Sequence, residues 1–166
     1  MKTKLLLIYL LILPVLIISC ESEGDIKIVE FNEGEFLSNR EKWNNLKLQN
    51  YSYEYSNSGY SYTGISSHVK VIVSNGNEIS VSELKENGIQ DPDKYIINDL
   101  FEEIEAKYQT DGMLDESNEV YLEEIEIQYD GQFYYPIEIH YIYHIPDGMV
   151  GVWNMHQYIS NFVFED

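Results

Sequence analysis

The hydrophobic period of this chain changes twice, and the order of the changes leaves few folds open. In HVKVIVSNGNEISV, residues 68–81, Val69, Val71 and Val73 occupy alternate positions. Asn75-Gly76 then supplies two residues tolerant of positive φ, and Ile79 and Val81 resume the alternation. This is the pattern of a β-hairpin closed by a type I′ turn. Over 91–108 the period lengthens. Ile97, Leu100, Phe101, Ile104 and Tyr108 fall at i, i+3, i+4, i+7 and i+11, one face of a helix. Asp91 or Asp93 can cap that helix, and Pro92 suits its first turn. Period two then returns. Tyr121, Ile125, Ile127 and Tyr129 alternate with Glu124, Glu126 and Gln128; after Asp130-Gly131, Ile137, Ile139, Tyr141 and Tyr143 alternate with Glu138, His140 and His144.

The flanking segments complete the outline. YSYEY at 51–55 reads as a strand, and the Ser- and Gly-rich stretch 56–66 as a loop into which Tyr60 and Tyr62 can extend it. A last strand covers roughly 155–164; Ile159 and Phe162 differ in parity, so its inward face stays open, a bulge being one solution. Upstream, Ser38 and Glu41 form a capping box for a short helix over 38–48, with Trp43 and Leu46 on one face. The order is helix, three strands, helix, three strands. The expected fold is therefore α+β: an antiparallel sheet of about six strands with the central helix packed on one face.

The amino terminus has a different character. Lys2 and Lys4 precede an apolar run, 5–18, which ends at Ser19 and the only cysteine, Cys20. Positive residues, a short apolar core and a small residue make a secretory signal. The run is shorter than the ~20 residues that span a bilayer as a helix. Ile17-Ile18-Ser19-Cys20 resembles a bacterial lipobox, in which the signal is cut before a cysteine that carries acyl chains. One chain binds a membrane marginally and two or more hold it stably. We thus expect residues 1–19 to be a signal peptide, Cys20 a lipid-anchored amino terminus, 20–37 an acidic tether and 38–166 a single domain. The expected location is the cell envelope, with the membrane as partner through the anchor.

Charge narrows the partners. The formal charge is −19, and every acid lies beyond the signal. Such a chain is repelled by nucleic acid and by anionic lipid surfaces. It suits a basic partner or a cation. No cysteine other than Cys20 exists to build a disulfide or a thiolate metal site.

From Trp43 onward a set of ordered landmarks resembles a family of small bacterial lipoproteins known only as domain of unknown function 6174. They are W-x-x-L (43–46), N-Y-S-Y (50–53), V-I-V-S-N-G (71–76), L-F-x-x-I (100–104), Y-D (129–130), Y-P-x-x-I (135–139) and Y-I-S-N-F (158–162). The resemblance implies an envelope lipoprotein and supplies no reaction.

The residues themselves point to no familiar chemistry. The sequence has no Gly-rich phosphate loop, no H-E-x-x-H and no G-x-S-x-G. DPD at 91–93 and DESNE at 115–119 lack the spacing of an EF-hand loop. His140 and His144 share a strand face, but four residues separate them by about 13 Å, too far to chelate one ion. His156, from another strand, is the partner that would complete a site with His144. We expect no cofactor and assign no catalytic or metal-binding residue. A non-catalytic module binding an envelope protein or peptide, or a cation, is the expected function. The alternative is a hydrolase or metal-dependent enzyme built on carboxylates and histidines.

One surface stands out. The strands flanking Asp130-Gly131 keep their isoleucines on one side only in odd-to-odd registers. Ile127 or Ile125 opposite Ile137 are the two expected, and they set Glu126 or Glu124 opposite Glu138. Either pair of like charges would lift one carboxyl above its usual pKa. Glu124, Glu126, Glu138 and His140 are thus the candidate binding face.

Overall fold

The computed structural model describes residues 29–59, 68–83, 96–111, 120–148 and 154–165. In chain order these form β1 (Glu30–Phe31), α1 (Glu33–Leu46), β2 (Tyr51–Gly59), β3 (His68–Ser74), β4 (Glu78–Glu83), α2 (Ile97–Asp111), β5 (Tyr121–Tyr129), β6 (Pro136–His144) and β7 (Met155–Phe164). The strands make one sheet in the order β1-β5-β6-β7-β2-β3-β4, and both helices lie on the same side of it. The residues 1–28, with Cys20, and the acidic segments at 91–93 and 115–119 lie outside the described residues.

The α+β class is as expected, but the sheet is mixed rather than purely antiparallel and has seven strands rather than six. β1 pairs with β5 in parallel, Glu30 opposite Glu124 and Phe31 opposite Ile125. Two residues carry no period, so periodicity cannot find such a strand. Packing places it: the Phe31 ring lies 5.3 Å from Phe36 and 4.7 Å from Tyr108. From Val29 onward, the stretch expected as tether is therefore part of the domain, with Val29 and Phe36 buried.

The first helix begins at Glu33 and not at Ser38. Asn32 is its cap: the side-chain oxygen accepts from the Glu35 amide at 3.2 Å, and Nδ2 donates to the Glu35 carboxylate at 2.9 Å. Asn serves as well as Ser at this position, and Glu33 and Glu35 suit the positive end of the helix dipole. Ser38 lies exposed within the helix. Phe36, Asn39 and Trp43 form the buried stripe, whereas Leu46, expected beside Trp43, is 37% exposed.

The central helix behaves as its stripe demands. Ile97, Leu100, Phe101 and Ile104 are fully buried, and Tyr108 packs at the edge of the same core. Arg40 pairs with Glu105 at 2.8 Å and Trp43 Nε1 donates to Asn98 at 2.7 Å, tying the helices together. The hairpin also forms. Asn75 and Gly76 both have positive φ, 53° and 79°, and Asn77 N–H donates to the Ser74 carbonyl at 3.3 Å. Gly76 is needed twice over, since its amide also bonds the Gln49 carbonyl at 2.8 Å and a Cβ there would meet the Gln49 side chain.

The parity problem in the last strand resolves as a bulge. Ser160 pairs with Glu54 but Val163 pairs with Ser52, and Asn161 takes a left-handed φ of 52°. One extra residue flips the side-chain alternation. Ile159 and Phe162 therefore both face the helices, and Phe162 closes an aromatic cluster with Trp43, Tyr51, Phe133 and Tyr135 at 4.6–6.2 Å. Burial lifts the Tyr51 hydroxyl to a pKa of about 12, against a hydrogen bond from the Ile97 backbone. A similar bulge sits in β5, where Glu123 is the extra residue. It turns Leu122, not Tyr121, towards the core.

Candidate functional site

The sheet face away from the helices has no layer over it among the described residues. Along β6, Ile139 and Tyr141 are buried under α2, while Glu138, His140 and Ile142 point the other way and are half-buried. On β7 Gln157 reaches α2 through Glu103 at 3.0 Å, which puts His156 and Tyr158 on the open side with them. β5 adds Glu124, Glu126 and Gln128.

The register across this face differs from both alternatives read from the sequence. Ile127 stands opposite Ile139 and Ile125 opposite Tyr141. The isoleucines do share one side, but the offset is larger than expected. The connection explains it. The Asp130 carboxylate accepts the amides of Gln132 and Phe133 at 2.8 and 2.6 Å, and Tyr134 adopts φ 64°. This wide turn, with Ile137 left unpaired as a bulge, moves every later residue along the ladder. Glu138 therefore faces Gln128 on β5 and Tyr158 on β7, not a second glutamate. Glu126 faces His140, and Glu124 faces Ile142.

What results is a hydrogen-bonded row running across three strands. Glu126 Oε2 lies 3.3 Å from His140 Nδ1. His140 is directly opposite His156, with ring centroids 3.4 Å apart. His156 Nδ1 lies 3.0 Å from the Tyr158 hydroxyl, which in turn bonds the Glu138 carboxylate. An ionised carboxylate only accepts, so His140 donates through Nδ1 to Glu126. Tyr158 gives its proton to Glu138, so His156 also donates through Nδ1. In the neutral ring, Nε2 is then the nitrogen that carries the lone pair. His140 Nε2 is buried and has no hydrogen-bond partner among the described residues.

Electrostatics follow from the same neighbours. Burial and the adjacent His140 push the His156 pKa down, opposed by Glu138. Burial, together with Glu126, Glu30 and Glu123, pushes Glu124 up, opposed by His140. The raised carboxyl thus owes nothing to a Glu138 pair; its like-charged neighbours are Glu126 and Glu123 on β5 and Glu30 on β1, the strand that periodicity missed. Burial and Glu138 raise Tyr158.

Glu124, Glu126, Glu138 and His140 do share the open face, and His140 and Glu126 touch. His156 and Tyr158 were missed as members. His144, expected to partner His156, instead stacks on Tyr121 at 4.7 Å. Only knowledge of which strand lies beside β6 could have found the His140–His156 pair. Among the described residues no group of three or more His, Cys, Asp or Glu is arranged to hold a metal ion. Elsewhere on the open face His68 pairs with Glu54 at 3.2 Å. A cleft of about 280 Å³ between Trp43, Lys47, Gln49, Tyr51, Gly76 and Asn98 is less open to chemistry, because Trp43 and Asn98 already pair with each other.

Among the described residues no helix is long and apolar enough to cross a membrane. No curated protein and no solved structure matches this chain. One family model does, over residues 35–147, which spans six of the seven landmarks and stops before the last, at 158–162. The chain belongs to the family of unknown function DUF6174.

Proposed function

We propose that this protein is a lipid-anchored component of a bacterial cell envelope, held by Cys20, that uses the open sheet face as a non-catalytic binding surface. The observation that carries the reading is the face itself. Its polar side chains on β5, β6 and β7 are ordered by one another, through Glu126–His140 and His156–Tyr158–Glu138, with no second layer over them among the described residues. Side chains already held in one arrangement lose less entropy when a ligand docks. The anchor reading rests on the run from Lys2 to Cys20. The acidic surface favours a basic protein segment or a cation over nucleic acid.

Two measurements test the two halves. Cys20→Ala should abolish labelling by a fatty-acid analogue and move the protein from the membrane to the soluble fraction; unchanged labelling rules the anchor out. A photo-crosslinker placed at Ser160, on the open face, should capture a partner that the same group at Glu102, on the exposed side of α2, does not. Identical products at both positions would remove the face from consideration.

A further inference from the structure

We propose that His140 and His156 form a two-imidazole site for a late first-row divalent metal, Zn²⁺, Cu²⁺ or Ni²⁺, oriented by Glu126 and Tyr158. This rests on the reading of the open face as a binding surface and names one ligand for it.

The placement comes first. The two residues are direct partners in the β6–β7 ladder, and their rings are already in contact at 3.4 Å between centroids. Rotation of the rings apart about their side-chain bonds is what would bring both Nε2 atoms onto one ion at about 2.0–2.1 Å. Protonation state comes second. A histidine that binds metal through one nitrogen ordinarily donates the other N–H to a carboxylate or a similar acceptor. Both rings do so here, His140 to Glu126 at 3.3 Å and His156 to Tyr158 at 3.0 Å. The Tyr158 bond to Glu138 completes the second relay. In its neutral form each ring is thereby set in the tautomer with a bare Nε2.

The third observation is the unmet need of that atom. His140 Nε2 is buried without a partner among the described residues, a condition that calls for an explanation such as an ion or a water. A metal ion meets it. The surrounding Glu124, Glu126 and Glu138 add negative charge that favours a bound dication.

The donors also set the selectivity. Imidazole suits zinc, copper and nickel, and affinity should follow Ni²⁺ < Cu²⁺ > Zn²⁺. Ca²⁺ requires six to eight oxygen ligands, which this pair does not offer. Because no three protein donors converge, the remaining positions are left to water or to a donor from a docking partner.

The test uses the full-length chain with Cys20→Ala, which removes the only thiol. One equivalent of Cu²⁺ should give an electron paramagnetic resonance spectrum with coupling to two nitrogens. His140→Gln and His156→Gln should each lose at least one nitrogen, whereas His68→Gln and His144→Gln keep both. Glu126→Gln should weaken binding by about tenfold or more, the usual effect of removing an orienting carboxylate. Zn²⁺ followed by imidazole-nitrogen NMR on unsubstituted histidines provides a reading independent of whether variants fold. Shifts at Nε2 of His140 and His156 support the site. An oxygen-only copper spectrum, zinc shifts confined to His68 or His144, or displacement of the metal by equimolar Ca²⁺ would overturn it. Crosslinking at Ser160 with no metal bound would leave the face a binding surface while removing this ligand.

Discussion

The same strands build two faces that are held by different physics. Under the helices, Tyr53, Val71, Ile139 and Tyr141 are almost wholly buried and pack against Leu100, Phe101 and Ile104. On the open side the intervening residues are polar, partly exposed and ordered by pairwise hydrogen bonds. For the covered face, it is enough that a residue be apolar, of fitting size and of the right parity. For the open face everything depends on which residue stands opposite which. A shift of two positions along the ladder leaves the core face intact in kind, isoleucine against isoleucine, yet it replaces a Glu–Glu contact by the Glu126–His140 pair. Parity decides stability, and register decides chemistry.

The largest effect should come from breaking the covered face. Phe101→Ala should cost roughly 3–5 kcal/mol and Leu100→Ala roughly 2–5 kcal/mol, because the lost contacts leave a cavity in a tightly packed core. Glu102→Ala on the exposed side of the same helix, and Ser160→Ala on the open sheet face, should each stay within about 0.5 kcal/mol. Denaturant unfolding midpoints would measure all four. Comparable losses at Ser160 and Phe101 would show that the open face is covered after all.

Intermediate effects belong to the local devices that set where elements begin and turn. Gly76→Ala should cost about 1 kcal/mol or more, chiefly because φ 79° is strained for any residue with a Cβ. The approach to Gln49 adds less, since the end of that flexible side chain can move. Asn32→Ala should cost about 1 kcal/mol through loss of the helix cap, with Ser38→Ala nearly neutral. The reverse ranking in thermal unfolding would restore the later helix start read from the sequence.

Those devices also show what was legible. The α2 stripe and the β3–β4 hairpin could be read because each depends on residues a few positions apart. The bulge in β7 was only half legible: Ile159 and Phe162 differ in parity, which left the inward face open until packing set both in the core. The register of β5 on β6 was not, because it depends on how Asp130 and Tyr134 wind the turn rather than on the strands. The helix start was misplaced because Ser38-x-x-Glu41 and Asn32-x-x-Glu35 are both valid capping patterns. The choice between them was made at a distance, by burial of Phe36 against Phe101 at 5.7 Å. The His140–His156 pair lay furthest from view. Nothing local says that β7 inserts between β6 and β2.

The smallest expected effect separates two titrating groups on the open face, and it carries the clearest signs. The folded-state pKa of His156 lies below 6.5. Well above pH 6.5 the ring is neutral folded or unfolded and contributes nothing. As pH falls below 6.5 the unfolded chain takes up a proton that the folded chain resists, so stability is lost until the folded pKa is passed. Glu124 works in the opposite sense, with a folded pKa above 4.5. Between 4.5 and that raised value the folded chain holds the proton more firmly, so acidification through this window adds stability, and the charged form is penalised above it. His156→Gln should therefore flatten the decline just below pH 6.5. Glu124→Gln should raise stability slightly at neutral pH and abolish the gain in the lower window. Unfolding midpoints from pH 8 to 4, taken as differences from the unsubstituted protein, isolate each contribution from the other acids. Parallel curves for His156→Gln and the parent would mean that the ring is not held against His140 as the structure places it.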